Sequence, residues 1–287
     1  MKTYVLLVSG LLTAFFTASL TQAQPAGAEP VGMVMDVQGR ATVRERGSSA
    51  RIDVLSYLRP QTDIELAQGA SLVVTWYASS VEYRFSGPAR LKVHTNRIEV
   101  VQGGAAQQRS LGEDSVSAAK RGASTRLAQA AMLMRGMRAE VSIVSPAKGT
   151  RIMTLTPRFV WNAPNTDEKY QFILRGSDSA KLVEISATGD SLQLQESKAL
   201  EWGKRYRWTL QPQKGKAVEG DFETVSRDQA EQLARLRPDA KGAFSDWVLY
   251  AATLEDMKLS ADAQTIWKKL SQERPEDANL KRLASGR

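Results

Sequence analysis

His94 is the only histidine in the 287-residue chain, and there is no cysteine. Those two side chains supply most nucleophiles, general bases and soft metal ligands, so little of that chemistry is open to this sequence. A Ser-His-Asp arrangement could use only His94, and a Cys-ligated zinc site, a thiolate nucleophile and a disulfide framework are excluded. The chain carries 31 Asp and Glu residues, from which a carboxylate pair of the glycosidase kind could be drawn, but no spacing marks one. No phosphate-binding glycine loop, HExxH, GxSxG or Asp-rich metal loop occurs. The sequence is read as non-enzymatic, with no cofactor and no metal. A divergent hydrolase is the least favoured alternative.

The element that carries His94 explains its use. It lies in "FSGPARLKVHTNRIEVVQGG", residues 85–104, where Gly87-Pro88 breaks the chain after a strand. In the next strand Leu91, Val93 and Thr95 share one face, and Arg90, Lys92 and His94 share the other. Asn96 supplies turn chemistry, and Ile98 and Val100 resume the alternation toward Gly103-Gly104. This is a β-hairpin with His94 on its polar, solvated side, beside two cations that disfavour its protonation.

The same alternation runs through residues 31–112. "VGMVMDV" ends at Gly39, "ATVRE" runs into a Gly-Ser-Ser turn, and "VEYRF" sets Val81, Tyr83 and Phe85 opposite Glu82 and Arg84. "SLVVTWY" is apolar on both faces, as a central strand would be. Short strands separated by turns predict an all-β sandwich or roll. The order of Gly39, Leu58 with Asp63-Ile64, Gly69 to Ser71, Gly87 to Ala89 and Gly103 resembles the FecR-like domain of bacterial envelope proteins. The regulators that name that family carry a cytoplasmic segment and a membrane span ahead of the domain. Here the expected signal segment stands ahead of the domain instead, so an anti-sigma role is not expected.

Residues 113–140 change character. "SVSAAKRGASTRLAQAAMLMRGMR" is rich in helix formers and spaces Leu127, Ala130, Met134 and Met137 at helical intervals. It carries Lys120, Arg121, Arg126, Arg135 and Arg138 and no acid, so it is read as a basic linker helix. The sharper reading has these cations touching an anionic membrane surface. Between Val31 and Thr150 there are 16 Lys and Arg against 10 Asp and Glu, which places most of the chain's formal charge of +8 in its first part.

Strand signals return over residues 141–226. "PRFVW" sets Phe159 and Trp161 on one face, "YQFIL" sets Tyr170, Phe172 and Leu174, and "YRWTL" sets Tyr206, Trp208 and Leu210. Aromatics at period two in three strands describe a sandwich core. The run "SP..G", "P.F.W", "Y.F.L", "L..G..Y.W.L", "G.F" resembles a fibronectin type III-like or immunoglobulin-like envelope domain.

Residues 227–287 are helical. Trp247, Tyr250-Ala251, Leu254, Ala263, Trp267 and Pro275 fall at the intervals of one tetratricopeptide repeat, which they resemble. Ala251 stands where that repeat usually has glycine, and Leu254 where it has tyrosine. A single repeat lacks the neighbours that complete its core, so this end is expected to pack on the sandwich or on a partner. Trp247, Tyr250 and Trp267 are the candidate protein-docking residues.

Lys2 and the apolar run "YVLLVSGLLTAFF" have the form of a secretory signal, with cleavage expected near Ala23. No later segment approaches the roughly 18 apolar residues of a membrane helix. The expectation is an exported periplasmic chain, mainly β with a helical C-terminus, that acts as an envelope adaptor by binding an envelope protein. The alternative is a module that recognises peptidoglycan, glycan or anionic lipid. Nucleic acid is not an expected partner.

Overall fold

A computed structural model describes residues 29–45, 47–111, 141–163 and 167–286. The expected signal segment and the basic linker, with Lys120, Arg121, Arg126, Arg135 and Arg138, lie outside the described residues.

The first β unit is built from strands β1 (Gly32–Gln38), β2 (Ala41–Glu45), β3 (Ser48–Arg51), β4 (Tyr57–Leu58), β5 (Asp63–Leu66), β6 (Ser71–Trp76), β7 (Val81–Ser86), β8 (Ala89–Val93), β9 (Ile98–Gln102) and β10 (Gln107–Ser110). They form two five-stranded sheets, in the orders β10-β7-β6-β1-β4 and β3-β2-β5-β8-β9. The β8–β9 hairpin has the expected register: Ala89, Leu91 and Val93 are buried, while Arg90 and Lys92 are exposed. At the bend before it, a side chain on Gly87 would place a Cβ 2.0 Å from the Ala67 carbonyl oxygen, so only glycine fits.

Strands β1 and β6 are buried on both faces. A sandwich alone would leave one of those faces in water. Here helices cover it: α1 (Arg227–Leu236), α2 (Phe244–Asp256), α3 (Ser260–Glu273) and α4 (Ala278–Ser285). One continuous core joins Met33, Val34, Leu72 and Trp76 to Val248, Ala251, Ala263, Trp267 and Leu280. The helical end therefore packs mainly on the first β unit, and it also touches the sandwich of residues 141–226 as expected, where the Arg151 amide donates to the Lys258 carbonyl at 2.9 Å and Arg151 Nη2 donates to Gln229 Oε1 at 2.6 Å. The physical reason is mutual: an isolated helix pair has an open apolar face, and β1 and β6 have an open apolar face. Helix α2 lies between the sheet and α3, so Val248 to Leu254 are buried without a break and the helix is not amphipathic.

The chain between these two parts forms a second, separate core. Strands β11 (Ser142–Ser145), β13 (Arg158–Asn162) and β16 (Ser191–Gln193) make one sheet in the order β11-β13-β16. Strands β12 (Thr150–Ile152), β14 (Lys169–Arg175), β15 (Lys181–Thr188), β17 (Arg205–Pro212) and β18 (Val218–Thr224) make the other, in the order β12-β18-β17-β14-β15. Phe159, Trp161, Tyr170, Phe172, Tyr206, Trp208 and Phe222 are all buried between them, as the period-two aromatics predict. Phe159 packs against Phe172 and Trp208 with ring centroids 4.8 and 5.1 Å apart, tilted and edge-on. Trp208 Nε1 donates to the Pro146 carbonyl at 3.2 Å.

Candidate functional site

Three polar clasps fasten the helices to the first β unit, and they decide which surfaces remain open. The first is Arg109 on β10. Its Nε and Nη2 donate to Glu82 on β7 at 3.2 and 2.9 Å, and its Nη1 and Nη2 donate to Asp246 near the start of α2 at 3.1 and 2.6 Å. Two carboxylates hold the guanidinium and push its pKa up; the Asp246 hydrogen bond is the larger cause, and burial opposes it. Asp246 also accepts from the Ala243 amide at 3.1 Å, closing the first turn of α2.

The second clasp is Arg274, just past α3, which donates twice at 3.0 Å to buried Asp36 on β1. Its guanidinium lies 4.2 Å from the Phe244 ring centroid. The third is Asp277. One carboxylate oxygen caps α4 by accepting from the Leu280 amide at 2.8 Å, and the other accepts from the Val54 amide at 2.7 Å. Asn279 completes this clasp by donating to the Val54 carbonyl at 2.8 Å.

These contacts employ the buried acids structurally. Asp36, Glu82 and Asp277 each serve as acceptor for a fixed donor, a capping or clasping role rather than that of an acid–base pair. Among the described residues no group of three or more His, Cys, Asp and Glu side chains could hold a metal ion. His94 is half-buried on its hairpin, and its Nε2 lies 2.7 Å from Glu99 Oε2 on the neighbouring strand. Alternation placed His94 on the polar face; the cross-strand pairing adds the partner.

The docking residues expected from the helical pattern are brought close together. They do not form one open face. Trp267 is fully buried, with its Nε1 donating to Glu255 at 2.9 Å. Tyr250 is buried apart from one side, and Trp247 is half-buried, edge-on to Tyr250 at 6.3 Å with Lys269 5.1 Å above its ring. What is open is a cleft of about 340 Å³ where β10 meets the α1–α2 connection. Leu111, Leu236, Pro238, Leu249 and Tyr250 line it, with the Arg109–Asp246 bridge at its edge. Burial pushes the Tyr250 phenol up from its ordinary value, assisted by Asp262 and opposed by Arg237, so the group is a neutral O–H. Thr253 spends its hydroxyl on the Leu249 carbonyl at 2.9 Å. Arg109, Ser110, Asp239 and Asp246 also line it, so the cleft is mixed in character, with a paired arginine and a phenol beside apolar side chains.

Arg109 carries no sequence signal of this role. "QQRS" reads as an exposed edge strand, and its acidic partner on α2 is 137 residues away.

The solvent face of the sheet β3-β2-β5-β8-β9 is different. The register sets Arg44 opposite Asp63, Asp63 opposite Lys92, and Lys92 opposite Glu99. Signs alternate along that row, and in the next row Arg90 pairs with Glu65 at 3.8 Å. Such a face neutralises itself. No helix among the described residues is long and apolar enough to cross a membrane. No family model matches the chain, and no curated protein matches it.

Proposed function

We propose that this chain is a non-enzymatic adaptor of the bacterial periplasm, in which a FecR-like β domain and a tetratricopeptide-like helix pair jointly present a docking cleft to an envelope protein. The fibronectin type III-like sandwich acts as a spacer. The observation that carries this reading is the cleft between β10 and the α1–α2 connection, with walls of Leu111, Leu236, Leu249 and Tyr250 and a rim fixed by Arg109. A recess that mixes apolar walls with polar groups can seat a few apolar side chains of a bound segment while its polar groups hold that segment's backbone. The charge-alternating outer face of the first β unit gives less support to the alternative, in which that domain recognises peptidoglycan, glycan or anionic lipid.

The test compares the mature wild-type chain with Leu236→Glu, which puts a charge on the half-buried cleft wall. Each is used to capture partners from an envelope extract, and each is sedimented with peptidoglycan and with anionic vesicles. The adaptor reading expects one protein partner that is retained by the wild type and lost from the variant, with unchanged melting. Salt-sensitive sedimentation by both chains, with no partner lost, would overturn it in favour of envelope binding.

A further inference from the structure

We propose that two copies of this chain associate through β15, pairing antiparallel about a two-fold axis at Ile185 to join their five-stranded sheets into one of ten strands. The inference does not depend on the docking cleft. Strand β15 lies at the end of the order β12-β18-β17-β14-β15, so among the described residues one side of its backbone has no strand hydrogen-bonded to it. Edge strands normally carry a proline, a bulge or an inward charge that blocks such pairing. β15 has neither proline nor glycine over its eight residues, and its one bulge, at Leu182 near its start, leaves Val183–Thr188 in regular register with β14. Its two charges, Lys181 and Glu184, are paired with each other.

The apolar side chains point the same way. Four large hydrophobic residues are markedly exposed among the described residues: Val101, Val144, Leu182 and Ile185. Two of the four are on β15, with Leu182 42% and Ile185 40% exposed. Ile185 stands opposite Phe172 and falls between buried Val183 and Ala187 on the core side of the strand. It is a core-facing residue with an open flank.

The strand is also complementary to itself. With the axis at Ile185, the two Ile185 side chains meet, and Val183 faces Ala187 twice, all on the core side. On the other side Glu184 faces Ser186, so no like charges are opposed. Moving the axis to Glu184 would set two carboxylates against each other. Moving it to Ser186 would carry Val183 past the end of the strand at Thr188. A single strand pair buries less than the roughly 1,000 Å² of a durable interface, so the dimer should form and dissociate with concentration.

Because the natural chain has no cysteine, a single Ile185→Cys substitution reports the axis directly. Directly opposed residues in an antiparallel pair have Cα atoms about 4.5–5.5 Å apart, within disulfide reach. Mild oxidation of the full mature chain should give a covalent dimer from Ile185→Cys far faster than from Val101→Cys, which is more exposed but lies on β9. Sedimentation equilibrium should show the wild type associating as its concentration rises. Ile185→Lys and Ile185→Glu should each be monomeric, and an equal mixture of the two should associate again. Equal cross-linking at Val101, a wild type that is monomeric throughout, or failure of the folded Lys and Glu variants to associate in the mixture would overturn the proposal.

Discussion

Replacing Arg274 by Met tests whether the helices and the first β unit are energetically one body. Arg274 and Asp36 are 238 residues apart, and their side chains are 17% and 4% exposed. With the guanidinium gone, Asp36 keeps only the Gln38 amide as a side-chain donor, at 3.2 Å. Stranding one member of a buried pair costs about 3–5 kcal/mol, and the lost stacking on Phe244 adds about 0.5–1 kcal/mol. The reverse change should be milder. Asp36→Asn leaves an arginine that can still reach water, and should cost about 1.5–3 kcal/mol, the value of hydrogen bonds to charged groups. The double variant Asp36→Leu/Arg274→Met should recover most of the loss, because apolar replacement of a buried pair is often near neutral. Urea unfolding followed by hydrogen exchange resolves where the loss falls. Protection should drop together along β1, β6 and α3, while β14 and β17 in the second core stay unchanged. A cost below about 1 kcal/mol for Arg274→Met, or a parallel loss in β17, would refute the claim that this clasp unites one body and spares the other.

Trp208→Ala should destabilise the second core by about 3–5 kcal/mol, as loss of a fully buried aromatic does, and leave β6 exchange untouched. His94→Gln should change stability by less than about 0.5 kcal/mol in urea unfolding, since the His94–Glu99 pair is partly exposed. Asp53 gives a pH-dependent effect: burial and, less strongly, Asp277 raise its pKa, while Arg51 opposes them. The native state then binds the proton more tightly than the unfolded chain, so this group's contribution to stability falls as pH rises from the unfolded to the folded pKa. Asp53→Asn should therefore be more stable than wild type above that window, and the advantage should vanish in acid, as read from urea midpoints across pH.

Local periodicity made much of this architecture readable. The alternation in "PRFVW", "YQFIL" and "YRWTL" places eight aromatics and aliphatics in one core, since a strand's side chains face its sheet by position alone. The β8–β9 hairpin followed from the same rule. Alternation failed at Glu82, which reads as solvated on "VEYRF" but is buried because the start of α2 lies over it. Asp36 and Asp277 are similar cases, polar in their local setting and buried through partners more than 200 residues away. Nothing within a strand or turn encodes such a partner. A weaker signal was present in "VGMVMDV" and "SLVVTW": strands apolar on both faces require two covers, and a two-sheet sandwich supplies only one. The cleft residues Leu111, Leu236 and Leu249 come from three different elements, so no single segment announces them.

The placement of the second core between the two parts of the first imposes an order on biosynthesis. A chain made from its amino end releases β1 and β6 well before α2 and α3 exist, with more than one hundred residues between Leu111 and Val225 still to come. At about 5–20 residues per second, that interval is on the order of ten seconds. Throughout it the helix-facing side of the first sheet, including Met33 and Val73, has no cover, and buried Asp36 lacks Arg274. The intervening sandwich can complete its own core while the first unit waits. A nascent chain stalled before residue 225 would thus hold one finished module beside a sheet with a bare apolar surface, the species most prone to capture by a chaperone or by another such chain.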